Sequence, residues 1–578
     1  MFIISTLIAT SLLTADVNIE DVLPANTIAF ASVTDVSELV THLQKMGICD
    51  AVCDIAQTVC NSLDLMGDEE CPIAASYFSK DGTCTIPSGQ ASWGLYPVVD
   101  FESGTVGIGM LAMLEMDDEK FSAMMKEAFE GHAKANDSEL ETVDIIGRDV
   151  WTVQYEIELP ADLLPIPIDF GGPSSLYFAN TDGYLLFGTE PDGLSSLFSA
   201  IDGDPIEDSL ASSSVYDALM ARCGTEADLK AGVLLTNLAD TLMQMDTSGM
   251  MVMPSLKTAF GDIDGAVETL SFSPSEDVML EAKCALLMEE GRNGLLGLVA
   301  ADAPATAIPS FVGDDTITYS QNNIAFDKVV PLMKEVVASN PMFAMQMNPQ
   351  MMEQMEAGIS MYTSTLGSET HFMTTGTEPY TADTVGFMAA VECVDEEALS
   401  NVLSLMMPSF GAAPSDFLGN QIFTIDLGAG MMMPLDLSFS IAVGGGYVFV
   451  GSQYSVENAL RAIANPKEAK STHGSNAAVP MLEKDNVSGW GYGDMAKSMM
   501  MQKAMSDSLV GMKEDVLVQI EEFDPEMAAE MRAETEKNMA IQNAMLDAMA
   551  KLFGPMAWSL HADDTGFTAE VIMLQATK

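Results

Sequence analysis

Few residues in this chain are spaced for chemistry. Gly489-Trp490-Gly491-Tyr492-Gly493-Asp494 comes nearest to a glycine-rich phosphate loop. It lacks the x-x-G spacing and the following Lys that let backbone N–H groups and an ammonium cradle a phosphate. An aromatic strand end before an Asp-capped helix is the better reading. Asp262-Ile263-Asp264-Gly265 hints at a calcium loop, but its glycine comes too early for an EF-hand. Met345-Gln346-Met347 offers two soft thioethers at a spacing that suits Cu(I), with no clustered histidine beside them. His42, His132, His371, His473 and His561 are dispersed and imply no Ser/His or Cys/His pair. No P-loop, H-E-x-x-H or G-x-S-x-G signature occurs. The sequence therefore assigns no catalytic, cofactor-binding or metal-ligating residue, and no cofactor.

The cysteines do carry information. Five of the eight lie close together: Cys49, Cys53, Cys60, Cys71 and Cys84. Their intervals lack the C-x-x-C pairs of a zinc site, so the cluster reads as disulfide candidates in an oxidising compartment. Cys49, Cys53 and Cys60 share one side of a predicted helix. Two of them are expected to reach forward to Cys71 and Cys84, leaving an odd thiol; the pairing stays open. The chain opens with an uncharged, mostly apolar run, Met1 to Ala15, and acids follow at Asp16, Glu20 and Asp21. That is the shape of a secretory signal peptide over residues 1–15, cleaved after Ala15. The expected location is extracytoplasmic, periplasmic or secreted. No later segment reads as a membrane span; Leu427 to Gly451, with Pro434 and Gly444-Gly445-Gly446, predicts a hairpin.

Charge narrows the partners. Lys and Arg number 24 against 85 Asp and Glu, a formal net charge of −61 over 578 residues. Nucleic acid and anionic headgroups need clustered bases and are excluded. Divalent cations are expected at the acidic surface. With 48% hydrophobic residues the chain has ample material for a packed core.

The elements that would position any site recur in order. Val106-Gly107-Ile108-Gly109 runs into Met116-Asp117-Asp118-Glu119, and Val385-Gly386-Phe387 runs into Val394-Asp395-Glu396-Glu397. Each predicts a strand entering an Asp-capped amphipathic helix. Ile146-Gly147-Arg148-Asp149-Val150-Trp151 matches Leu418-Gly419-Asn420-Gln421-Ile422-Phe423. The hairpin through Asn180-Thr181-Asp182-Gly183 is followed by a helix burying Leu194, Leu197, Phe198 and Ile201. The hairpin through Gly444-Gly445-Gly446 is followed by one burying Val456, Ala459, Leu460 and Ile463, at the same spacing. We expect an α+β fold of two tandem homologous halves, each a mostly antiparallel sheet with amphipathic helices. The first spans 16–303, with the cysteine-rich elaboration at 49–84, and the second spans 304–578. The seam is placed near Ala301 to Ala307.

Methionine is abundant, 45 residues in all. After Asn348-Pro349, Met352, Met355 and Ile359 fall at i, i+3 and i+7. After Asp524-Pro525, Met527 and Met531 begin a stripe that Met545, Met549 and Leu552 end. Methionine standing in for leucine on core faces is the expected role. An exposed methionine surface that adapts to apolar ligands or peptides is the second reading, and a copper site the third.

Pro24-x-x-Thr27-x-x-Phe30, a strand followed by a helix carrying Leu39 and Leu43, resembles a family of exported bacterial proteins known only as a domain of unknown function and often internally duplicated. The resemblance implies an exported, duplicated α+β protein and carries over no catalytic residue. Three functions follow in order. The first is an exported, acidic, non-enzymatic binding or structural protein whose partner is a protein or a small apolar ligand. The second is a carrier of an apolar ligand or peptide in a methionine-lined cavity. The third is an enzyme with an unrecognised site.

Overall fold

A computed structural model of the chain describes residues 18–48, 89–100, 105–115, 126–127, 130–131, 133–134, 140–155, 174–181, 183–204, 206–245, 257–273, 275, 277–300, 307–339, 349–381, 384–412, 414–426, 438–466, 477–482, 486–521 and 524–576. The expected signal peptide, the cluster Cys49, Cys53, Cys60, Cys71 and Cys84, Met345-Gln346-Met347 and most of the seam lie outside these residues.

The fold is α+β, built on one antiparallel sheet of twenty strands. The N-terminal strands are β1 (Ala29–Val33), β2 (Ala91–Asp100), β3 (Thr105–Glu115), β4 (Glu141–Ile145), β5 (Arg148–Tyr155), β6 (Ser174–Thr181), β7 (Tyr184–Gly188), β8 (Leu229–Val233), β9 (Gly265–Phe272) and β10 (Val278–Leu287). They pair in the order β4-β5-β6-β7-β3-β2-β1-β8-β9-β10. The others are β11 (Thr316–Asn323), β12 (Leu366–Gly376), β13 (Val385–Cys393), β14 (Pro414–Phe417), β15 (Asn420–Asp426), β16 (Ser438–Gly444), β17 (Tyr447–Gly451), β18 (Gly489–Asp494), β19 (Phe553–Asp563) and β20 (Gly566–Gln575). Their order is β14-β15-β16-β17-β13-β12-β11-β18-β19-β20. Strands β10 and β20 pair antiparallel from Val278↔Leu574 to Leu287↔Gly566, which makes the two series one sheet. Among the described residues β4 and β14 are its edges.

Local chemistry explains where the helices begin. Helix α1 (Val36–Lys45) is capped by Asp35, whose carboxylate accepts the Glu38 N–H at 2.9 Å. Further along are α2 (Pro191–Ile201), α3 (Ser214–Cys223), α4 (Leu235–Met245), α5 (Val329–Ser339), α6 (Pro349–Thr363), α7 (Glu396–Met406), α8 (Gln453–Ala464), α9 (Met495–Glu521) and α10 (Pro525–Leu552). Asp395 caps α7 through the Ala398 N–H at 2.9 Å. Asp524 caps α10 through the Met527 N–H at 3.1 Å. Two hairpins turn on two-residue loops with positive φ at both positions: Ile146 (46°) and Gly147 (82°), then Leu418 (52°) and Gly419 (83°). These turns match the twist of the strands they join.

Helices cover both faces of the sheet. On one face α2 buries Leu194, Leu197 and Phe198 in a cluster with Phe30, Leu111 and Met113. On the same face α8 buries Val456, Ala459 and Leu460 with Tyr319, Met373 and Phe449. On the other face α1 buries Val36 and Leu39 against Ala112 and Phe187, and α7 buries Leu399 and Leu403 against Phe423 and Val448. Among the described residues no helix is long and apolar enough to cross a membrane.

The methionine stripe of α10 departs from expectation. Met527, Met531 and Met545 are 47%, 41% and 43% exposed. The helix buries Ala528, Leu546 and Ala548 instead. It lies against α9, joined to it by Lys503 with Asp547 and by Arg532 with Glu521. Met549 and Leu552, which end the stripe, are half-buried. On α6, Met352, Met355 and Ile359 are half-buried.

Candidate sheet-face groove

A concavity lies on the face of the sheet that carries α1 and α7. Strand alternation builds it. Trp490 and Tyr492 of β18 point into the core, so Gly491 and Gly493 face the other way. On β12, His371 and Met373 are buried while Phe372, between them, is 46% exposed. Strand pairing then sets residues side by side. One row runs Trp558, Gly491, Ser320, Phe372, Ala389, Val450 across β19, β18, β11, β12, β13 and β17. The next runs Met556, Gly493, Thr318, Thr374, Phe387. Met495, the first residue of α9, adds a wall. The space is about 580 Å³, half open to solvent, and within the range of small-molecule sites.

The glycines make this shape possible. A Cβ at Gly491 would stand 2.6 Å from Trp558 Nε1 and 2.5 Å from the Tyr319 carbonyl oxygen, so only glycine lets the indole lie across β18. The polar groups of the floor are hydroxyls. Those of Thr318 and Thr374 hydrogen-bond one another. None of the lining residues is charged.

The matching row of the N-terminal strands is filled. Ala231, Ala31, Trp93, Ala112 and Phe187 stand abreast there. Helix α1 follows β1 directly and seats Val36 and Leu39 on that face. After β11 the chain instead enters α5, which buries no residue. Among the described residues the same face is thus packed by α1 in one place and lines a hollow in the other.

A polar cluster lies on the opposite face, beneath the groove floor. His371 is fully buried. Its Nδ1 is 3.0 Å from the Tyr319 hydroxyl, and its Nε2 is 2.8 Å from Glu369 Oε1. Tyr447 donates to Glu369 Oε1 at 3.4 Å. The rings of Phe311, Tyr319 and Tyr447 lie 5.6–5.9 Å from the imidazole, and Phe311 lies 5.1 Å from Tyr447. Burial, with the Glu369 charge nearby, raises the Tyr319 phenol far above its ordinary value and pushes that of Tyr447 up to about 12. Both phenols stay protonated and act as hydrogen-bonding groups. The sheet separates the cluster from the groove, so its role is to satisfy polar groups inside a core. Dispersed histidines had suggested no such partnership. The legible hint is the i, i+2 spacing of Glu369 and His371, which puts both on one face of a strand.

The other sequence motifs find structural places. Gly489 to Asp494 is strand β18, and Asp494 accepts the Lys497 N–H at 3.1 Å at the start of α9. Asp264 holds a turn: one carboxylate oxygen accepts the Thr236 hydroxyl at 3.1 Å and the other the Glu289 N–H at 2.7 Å. Asp262 pairs with Lys257 at 2.8 Å. Among the described residues no group of three or more His, Cys, Asp or Glu side chains is placed to hold a metal ion. Cys223, Cys284 and Cys393 are free thiols.

Fold and groove together define an α+β protein with an uncharged apolar hollow on a helix-flanked sheet. The chain matches no family model, no curated protein and no solved structure.

Proposed function

We propose that this chain is an exported, non-enzymatic binding protein that takes an apolar ligand in the sheet-face groove. The observation that carries the reading is the uncharged concavity that the described residues form along the row from Trp558 to Val450 and the row beside it. Phe372 and Phe387, 46% and 42% exposed, are held there by paired strands that solvent alone would not favour. A filled interior would have favoured a purely structural role. Methionine enters as Met495 and Met556, but aromatic rings dominate the walls. Export is supported by the apolar Met1–Ala15 run, by the clustered cysteines and by the resemblance to exported duplicated proteins. Duplication into 16–303 and 304–578 is supported by the neighbour order of β11–β20, which repeats that of β1–β10, and by the paired turns at Ile146-Gly147 and Leu418-Gly419.

Binding is tested with Nile red, an uncharged probe that brightens in apolar surroundings. The full chain is expected to bind it. Phe372→Ser with Phe387→Ser is expected to abolish the signal while leaving the melting temperature unchanged. An unaltered signal in the double variant would refute the site. The intact mass of the protein from its native compartment tests cleavage after Ala15 and counts the disulfides.

A further inference from the structure

We infer that the groove selects an uncharged, elongated apolar small molecule lying across the strands, with Trp558 against one end and Phe372 and Phe387 against the other. The inference rests on the proposed binding function and names its ligand class.

Charge is the first argument. Among the described residues that line the groove no side chain is charged, and the polar side chains of its floor are hydroxyls. A carboxylate or phosphate placed there loses its water and meets no cation. Outside, a net charge of −61 already repels it. A cation is attracted by that field and finds aromatic faces. It finds no carboxylate in the lining, and one cation–π contact returns less than an unpaired charge loses on desolvation.

Shape is the second argument. From Trp558 on β19 to Phe387 on β13 the groove crosses four strand spacings, roughly 19 Å at the usual separation. Between the aromatic ends the floor is low at Gly493, Thr318 and Ser320, while the Trp558 indole lies over Gly491. The depression therefore runs perpendicular to the strands and is long relative to its depth. A peptide adding as a further strand is ruled out, because β11, β12 and β13 are each paired on both sides. A second copy of the chain is disfavoured by the like charge it would bring.

The test uses the full chain and three amphiphiles of equal tail length below their micelle concentrations: dodecanol, dodecanoate and dodecyltrimethylammonium. Each competes with bound Nile red. Dodecanol is expected to bind at least about 10-fold more tightly than either ion, about 1.4 kcal/mol. Gly493→Ala probes the placement. Its Cβ would sit 3.4 Å from Thr318 Cγ2 and 3.7 Å from Met556 Cγ, ordinary contacts that the fold accepts. It raises the floor and is expected to weaken dodecanol severalfold at unchanged melting temperature. Dodecanoate or the ammonium binding as tightly as dodecanol would overturn the selectivity and leave the binding function standing. Undiminished dodecanol affinity in Gly493→Ala would overturn the placement. Failure of Nile red itself to bind would remove the function and this inference together.

Discussion

Tyr319 and His371 are 52 residues apart in sequence and 3.0 Å apart in space. Neither reaches water, so each depends on the other for a hydrogen bond that solvent would otherwise supply. Tyr319→Phe is expected to cost about 1–3 kcal/mol, read from chemical denaturation. A loss within error would show that the ring is held by packing alone. The thiols make a second prediction at this scale. Burial pushes Cys223 up to about 12 and Cys284 up to about 11, from an ordinary 9.0. Above the ordinary value the unfolded chain gives up these protons while the fold keeps them. The unfolded state then binds fewer protons, so stability must fall as pH rises. The contribution is complete below about pH 9 and is lost as pH climbs through the folded values. Tyr447 and Tyr492, each pushed up to about 12 by burial, act in the same direction. The melting temperature is expected to drop between about pH 9 and about pH 12. Native-state alkylation of Cys223 should be far slower than in the unfolded chain.

At the scale of elements, α10 separates two properties that a helical wheel runs together. Its methionines recur at helical spacing, yet Met527, Met531 and Met545 are exposed and the residues it buries are Ala528, Leu546 and Ala548. Polar substitution on the exposed side, Met527→Gln with Met531→Gln, is expected to change stability by less than about 0.5 kcal/mol per site. Ala548→Leu overfills a buried position and is expected to cost about 1–3 kcal/mol. The reverse ranking would restore the methionines to the core. The α7 cap is equally specific. Asp395→Ala removes the acceptor of the Ala398 N–H and should cost about 1 kcal/mol. These amphipathic helices and their caps were legible in the sequence because each is decided by residues within a few positions of one another. The orientation of α10 was not, because it depends on which side the partner helix approaches from.

Across the whole molecule, the pairing of β10 with β20 carries one hydrogen-bonded sheet through both series of strands. Fraying at that junction would expose two long edges at once. Heating should therefore unfold both sides of the junction together; two resolved transitions would contradict this coupling. The −61 charge acts over the same distances. Like charges repel in the compact state, and salt shortens their reach from about 10 Å at 0.1 M to about 3 Å at 1 M. The melting temperature should rise with ionic strength, and a flat response would mean that the acids are already neutralised by pairing or bound cations.

Composition and local pattern alone set a strongly acidic net charge, pointed to an α+β fold and located many of its strands and helices. Charge sums over the chain whatever its shape, and the periods of strand and helix are short enough to be written into neighbouring residues. The groove belongs to the tertiary structure. Ser320, Phe372, Ala389, Val450, Gly491 and Trp558 come from six separate strands, and only the pairing register brings them abreast. A period of two tells which residues share a face of a strand. Whether a helix then packs on that face, as α1 does after β1, or buries no residue, as α5 does after β11, is settled by where the connecting chain is free to pack.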